Sequence, residues 1–335
     1  MPCPEAAPYV TELSVRAESW PVQGHWTISR GSVSAVEVVV VELTRDGHRG
    51  HGECRPYGRY GESVEGVIAE IEAQRTAIAE GLDRAALQQV LPAGAARNAL
   101  DCALIDLEAK IAGRPAWTLL GLDGLAPITT AYTLSLDSPE AMGEAAAANA
   151  HRPLIKIKTG GDEDLARIAA IHAAAPEAKL IVDANEAWSG EQTRALLPEL
   201  AGLGVTLVEQ PVPAGEDAAL DGVARPVMLC ADESCHDRAS LDALEGRYDM
   251  INIKLDKTGG LTEALALKAE AEARGFGIMI GCMLATSLAM APAVLLAQGA
   301  AIADLDGPLL LAEDRQPAIA FEGSLMHPPE PALWG

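Results

Sequence analysis

Basic residues are scarce in this chain: 25 Lys and Arg stand against 48 Asp and Glu, a formal charge of −23 over 335 residues. So acidic a surface repels nucleic acid and anionic membrane, which argues against both as partners. Long apolar runs are also missing. The longest, such as VSAVEVVVVEL, are too short or too interrupted to span a bilayer. The opening MPCPEAAPYVTEL has no charged segment followed by an apolar one, so we expect no signal peptide and a cytoplasmic protein. No C-x-x-C pair occurs among the six cysteines, Cys3, Cys54, Cys102, Cys230, Cys235 and Cys282. They read as small core residues in a reducing compartment, not as a zinc site or a disulfide frame. What is present suits a globular chain: 49% hydrophobic residues, with charges spread rather than blocked into tails.

Two rhythms divide the sequence. The first third carries β-branched runs broken at Asp46-Gly47, a hairpin signal, and then the helical patterns SVEGVIAEIEAQRTAIAEG and ARNALDCALIDLEAKIAG. In the second pattern Ala99, Ala103 and Leu107 join Leu100 and Leu104 at i, i+3, i+4 spacing. From about residue 128, short apolar runs alternate with Ala-rich helical stretches: TTAYTLSL, LIKIKT, KLIVDAN, VTLVEQP, VMLCADES, MINIKLD, GIMIGCM and AIADLD. From the second run on, their polar ends fall at Lys158, Asp183, Glu209, Asp232, Lys254, Cys282 and Asp304, separated by 25, 26, 23, 22, 28 and 22 residues. Eight βα units at so even an interval predict an α/β fold with a parallel (β/α)8-type barrel. A doubly wound open sheet is the rival, but it usually has fewer strands and no reason for a polar residue at every strand end. We expect an α+β capping domain over 1–125, the barrel over 126–308, and a segment, 309–335, that returns to the first domain.

Strand ends are where such barrels do chemistry. Asp183, Glu209 and Asp232 come from consecutive strands and converge on one point. A single acid after a strand is more often a helix N-cap, but three in succession point to ligands. Carboxylate oxygens without His or Cys suit a hard divalent cation, best Mg²⁺. Beside them LIKIKTGG puts Lys156 and Lys158 on one strand face, an arrangement that repulsion and burial both oppose unless a nearby charge compensates. Strands two and six lie opposite each other in an eight-stranded barrel, so Lys158 and Lys254 should face across the mouth. Lys156 and the cation would lower a neighbouring lysine's proton affinity and let it act as a base. A carboxylate substrate would lose its α-proton to one lysine, and the enediolate would regain a proton from either side. Two opposed bases mean racemisation or epimerisation.

At these residues the chain resembles the enolase superfamily, in its muconate-lactonizing subgroup. The resemblance is carried by KIK at 156–158, VDAN at 182–185, VEQP at 208–211, ADES at 231–234, NIKLDKTGG at 252–260 and ALDCALIDLEAKIAGRP at 99–115. It implies a capping domain closing over the barrel mouth, Asp183, Glu209 and Asp232 as Mg²⁺ ligands, and Lys158 and Lys254 as the acid/base pair. Within the subgroup the chain is most similar to dipeptide epimerases of the L-Ala-D/L-Glu type, through Asp304 and Asp306 in ADLDGP, which in that family receive the dipeptide's α-ammonium group. Two carboxylates suit a cationic amine and not an N-acyl group.

Arg30, in TISRGS, matches a substrate-contacting arginine of the family's first cap loop. The loop CRPYGRYGES adds Arg55, Tyr57, Arg59 and Tyr60, basic groups against the acidic trend that could pair with a γ-carboxylate. Gly58 and Gly61 would give that loop mobility for closure. Cys282 opens the segment CMLATS on the seventh strand and joins the substrate-binding candidates. Ala285 stands there where some family members carry an acid, so the resemblance does not fix the side-chain preference.

The expected activity is thus Mg²⁺-dependent two-base epimerisation of a small, Ala-Glu-like dipeptide. N-acylamino acid racemisation, for instance of N-acyl-glutamate, is the alternative. A muconate-type cycloisomerase or o-succinylbenzoate synthase comes third, because neither needs two opposed bases. An inactive binding or structural barrel would be expected to lack a ligand or base, and none is missing. The expected partner is a small molecule, with a homo-oligomer open.

Overall fold

The computed structural model describes residues 10–161 and 163–335, so Cys3 lies outside the described residues. The chain begins with an antiparallel sheet of β1 (Glu12–Ile28), β2 (Gly31–Arg45) and β3 (His48–Cys54). Asp46 and Gly47, at φ 54° and 78°, make the two-residue turn that pairs Arg45 with His48. The valine run of β2 has a simple cause. Alternation sends Val39 and Val41 into the cap's own core and Val38 and Val40 into the core shared with the barrel.

Helices α1 (Val64–Glu72), α2 (Arg75–Ala79) and α3 (Arg84–Val90) lead to α4 (Ala95–Ala112). The i, i+3, i+4 spacing in α4 suggests one apolar face, yet 14 of its 18 residues are buried. It lies between the cap sheet and the barrel. A β-carbon at Gly50 or Gly52 would run into the backbone of Ala103 or Ala99, so glycines in β3 let the helix seat. Polar residues that would mark a solvent face are interior hydrogen-bonders instead. Arg97 donates to the carbonyls of Gly259 and Thr258 at 3.0 and 2.6 Å, and Asn98 to Asp256 Oδ1 at 2.8 Å. Asp101 accepts from Thr262 N at 2.9 Å.

After α5 (Ala116–Leu119) and β4 (Ile128–Thr129) comes the barrel. It runs β5 (Tyr132–Leu134), α6 (Pro139–Ala148), β6 (Leu154–Lys158), α7 (Asp164–Ala174), β7 (Lys179–Asp183), α8 (Gly190–Gly202) and β8 (Val205–Glu209). It continues with β9 (Met228–Ala231), α9 (Leu241–Leu244), β10 (Met250–Ile253), α10 (Leu255–Thr258), α11 (Leu261–Ala273), β11 (Gly277–Gly281), α12 (Ser287–Leu296), β12 (Ile302–Asp304) and α13 (Gly307–Leu310). All eight strand candidates lie in one parallel sheet ordered β12-β11-β10-β9-β8-β7-β6-β5. Thr130 bridges Ala303 in parallel and Ala131 N donates to Ala303 O at 2.8 Å, which closes the sheet on itself.

The units are less regular than the even spacing suggests. Only a 3₁₀ turn, 217–220, fills the β8–β9 connection, and α9 is a single turn. Among the described residues no helix is long and apolar enough to cross a membrane.

The final segment touches the cap at both ends. Ala312 N donates to Pro21 O at 2.9 Å, and Arg315 Nη2 reaches Glu18 and Glu53 at 2.6 Å each. Further on, Trp334 Nε1 donates to Cys102 O at 3.1 Å. Between them β13 (Phe321–Glu322) and β14 (Leu325–Met326) form a small sheet with β4.

Candidate active site

Strand alternation puts the Lys156 and Lys158 side chains on one face of β6, both buried, and the compensating charge is at hand. Lys156 Nζ lies 2.8 Å from Asp304 Oδ2, 2.6 Å from Glu209 Oε2 and 3.1 Å from Asp183 Oδ2. Lys158 Nζ meets the same Asp183 oxygen at 2.6 Å. Four strands away, Lys254 follows β10 and its Nζ lies 2.7 Å from Asp232 Oδ2.

Burial alone would lower the Lys156 pKa, but Asp183, Asp304 and Glu209 overcome it and raise the value well above the usual lysine range. Asp232 and Glu209 do the same for Lys254. Lys156 is not a bare like charge, because three carboxylates balance it, although its charge still works against protonation of Lys254.

Burial also opposes the charge of each acid. At Asp183, Lys156 and Lys158 outweigh it; at Asp232, Lys254 and Lys257 do; both carboxyls are held below their usual range. Glu209 goes the other way, pushed up to about 7 by burial and then by the Asp183 charge. Among the described residues no three acidic, His or Cys side chains already stand together as a metal cage, since Asp183, Glu209 and Asp232 all face ammonium groups.

The donor set still fits a hard divalent cation. It is oxygen only, and Glu209 Oε2 is buried without a hydrogen-bond donor, Lys156 Nζ standing at ion-pair distance but outside hydrogen-bond geometry. Asn252 Nδ2 holds the other Glu209 oxygen at 2.7 Å.

One anchoring residue escaped the sequence reading. Lys257, in α10 one turn beyond Lys254, is fully buried and donates to Asp232 Oδ1 at 2.6 Å and Asn252 O at 2.9 Å. Its signal was present in NIKLDKTGG: a second lysine on a short buried helix has to have a buried partner. Gln210 at φ 34° escaped too; its Oε1 accepts from Asp232 N at 2.9 Å and fixes that backbone.

Asp304 Oδ2 accepts from Lys156, whereas its Oδ1 is buried without a donor. Asp306 Oδ2 accepts from Thr133 N at 2.6 Å, and burial followed by the Asp304 charge pushes Asp306 up to about 7. Lys158, Lys254, Asp304 and Asp306 line one cavity of about 420 Å³, with Arg30, Tyr57 and Arg59 contributed by the cap. Cys282 is on its wall, its thiol pKa raised by burial and then by Asp304. Asp232 also reaches the cavity; Asp183 and Glu209 are fully buried.

The cap's two loops are fastened to the barrel. Arg30 Nη2 donates to Glu233 Oε1 at 3.0 Å and to Tyr57 Oη at 3.0 Å, while Nη1 donates to Asn185 O at 3.1 Å and Glu186 Oε2 at 3.3 Å. Arg59 also grips Glu186, a residue the sequence reading did not single out. Asn185 and Glu186 stand at φ 43° and 68°, a left-handed pair just past β7 that aims Glu186 at the cap. Ser29 seats against Gly160, where a β-carbon would collide with it.

Comparison with known proteins agrees with this arrangement. Residues 10–121 match the family model described as mandelate racemase / muconate lactonizing enzyme, N-terminal domain, and residues 140–330 the one described as enolase C-terminal domain-like. An L-Ala-D/L-Glu epimerase of Escherichia coli (strain K12) is 49% identical over 94% of this chain and 99% of its own length. An N-acetyl-D-glutamate racemase of a Pseudoalteromonas species is 45% identical over 89% of this chain and 95% of its own length. A solved enolase family member from Agrobacterium tumefaciens, with homology to dipeptide epimerases and with bound sodium and L-Ala-L-Glu, is 56% identical. It superposes with a TM-score of 0.95 over 97% of this chain and 100% of its own. With its closed parallel barrel, its cap, and lysines opposed across the mouth, the chain belongs to the enolase superfamily, on the mandelate racemase and muconate lactonizing branch.

Proposed function

We propose that the protein is a Mg²⁺-dependent isomerase that epimerises small acidic dipeptides by moving the α-proton between Lys158 and Lys254. The observation that carries the dipeptide reading is Asp304. Its Oδ1 is a buried acceptor without a donor, beside Asp306 and on the wall of the cavity that Lys158 and Lys254 share. A substrate ammonium group supplies the missing donors, and an acyl group does not. Asp183, Glu209 and Asp232 would hold Mg²⁺, which supplies positive charge for the substrate carboxylate as its α-proton leaves. With those acids engaged there, Lys158 and Lys254 lose their present counter-charges and shed a proton more readily. Lys158 then serves one face of the α-carbon and Lys254 the other. Lys156 ties the acids to Asp304, and Lys257 keeps Asp232 in place.

Arg30, Tyr57, Arg59 and Cys282 belong to the substrate enclosure in this reading. So does the division into a cap (1–125), a barrel (126–308) and a returning segment (309–335), which the Arg315 contacts with Glu18 and Glu53 support. A cytoplasmic location accords with Cys54, Cys102, Cys230 and Cys235, all free and buried.

The second reading is an N-acylamino acid racemase acting on N-acyl-glutamate. The similarity to the N-acetyl-D-glutamate racemase favours it, and the same two lysines would serve. The deciding experiment is incubation in D₂O with L-Ala-L-Glu and with N-acetyl-L-glutamate, following α-deuterium by mass spectrometry and the new stereoisomer by chiral chromatography. Faster exchange of the dipeptide is expected. Faster exchange of N-acetyl-glutamate would transfer the assignment to the second reading.

A further inference from the structure

The charges around the cavity are almost completely paired. Arg30 has Glu186 and Glu233, Arg59 has Glu186, Lys158 has Asp183, Lys254 has Asp232, and Lys156 has three acids. Arg55 differs. It lines the same cavity, yet among the described residues its guanidinium has neither a hydrogen bond nor a carboxylate partner. Its backbone is fixed: Arg55 N donates to Asp256 Oδ1 at 3.1 Å, the oxygen that also accepts from Asn98 at 2.8 Å. Desolvation lowers its pKa, and the weaker pull of the Tyr57 and Asp256 groups does not make up for it. A guanidinium on an anchored stretch of backbone, with its fork unoccupied and lining the cavity, is a receptor for a planar anion.

We infer that Arg55, and not Arg30, receives the side-chain carboxylate of an acidic substrate, Arg30 serving to hold the cap loop on Glu186, Glu233 and Asn185. This rests on the reading of the site as one that epimerises glutamyl compounds. It departs from the expectation drawn from the first cap loop, because the two Arg30 guanidinium nitrogens that would make a fork are already engaged with protein oxygens. A site built around an unpaired cation should reject the neutral isostere, since glutamine would leave a half-buried guanidinium unmatched.

The test uses the full chain loaded with Mg²⁺ and two matched pairs: L-Ala-L-Glu with L-Ala-L-Gln, and N-acetyl-L-glutamate with N-acetyl-L-glutamine. kcat/KM is read from α-deuterium uptake, and Kd from calorimetry in case turnover is slow. In the wild type the Glu form should lead the Gln form by about tenfold or more. Arg55→Gln should bring that ratio close to one, chiefly through KM, and Arg55→Lys should restore part of it, which separates charge recognition from a folding defect. Arg30→Gln should slow Glu and Gln forms by similar factors. A wild-type ratio near one, a ratio that survives Arg55→Gln, or a collapse confined to Arg30→Gln would overturn the assignment. Dipeptide against N-acetyl preference is read separately, so the choice between the two activities can fail while the Arg55 assignment stands.

Discussion

Arg59 and Glu186 form a two-pronged ion pair across the seam between cap and barrel, Nε to Oε2 at 2.9 Å and Nη2 to Oε1 at 2.7 Å. The guanidinium is partly exposed, so the pair contributes about 1 kcal/mol and not more. Arg59→Gln should therefore raise KM about fivefold while leaving most of kcat. Hydrogen exchange over residues 57–61 should quicken in the same variant. A fall in kcat at constant KM would show that the pair acts on chemistry and not on closure.

Lys158→Ala and Lys254→Ala should each abolish epimerisation in both directions, because inversion needs both bases. Each variant should keep α-proton exchange with D₂O for one stereoisomer, and the two should choose opposite ones. Exchange of the same stereoisomer by both would rule out the opposed-base assignment.

Lys156→Met removes the ammonium group that Asp183, Glu209 and Asp304 share. A loss of buried charge balance of this kind costs about 3–5 kcal/mol. The expected result is a lower urea midpoint that Mg²⁺ partly restores. An unchanged midpoint would mean that the carboxylates simply take up protons.

Metal binding can be read without turnover. Asp232→Ala removes a proposed ligand and should weaken Mg²⁺ in calorimetry by about a hundredfold, with epimerisation lost after chelation of the wild type. Full turnover after exhaustive chelation would contradict the ligand assignment.

Asp306 sets a pH dependence. Burial and then Asp304 push it up to about 7, so its carboxylate is present above that pH and protonates below it. Attraction for a substrate ammonium group should fade as pH drops, and KM for L-Ala-L-Glu should rise about fivefold to tenfold from pH 7.5 to 6. N-acetyl-glutamate lacks the ammonium group and should show no such rise. Asp306→Asn should flatten the dipeptide profile.

Much of the site was legible because barrel chemistry is periodic: apolar runs ending in Lys158, Asp183, Glu209, Asp232 and Lys254 announce strand ends at one mouth. The misses have a common physical origin. Lys257 looked like an ordinary helix residue, and Glu186 followed a motif without belonging to its pattern. Partners such as Arg59 and Glu186 are 127 residues apart, a pairing that no local spacing encodes. The buried polar residues of α4 misled for the same reason, since Asn98 and Arg97 satisfy groups in α10 and the following glycines that only the fold brings near. The state of Lys156 needed Asp304, 148 residues away.

The Arg315 clamp on Glu53 joins residues 262 positions apart, and it also binds Thr286 at 2.7 Å, just beyond the segment that walls the cavity. On the ribosome, the cap's sheet emerges before the barrel and cannot gain this contact until the whole barrel has been made. Closing so long a loop is entropically costly and slow, which places the cap's final docking late in folding. The cavity between cap and barrel is therefore completed late, and a nascent chain carries its lysines and carboxylates long before it has a roof to keep water from them.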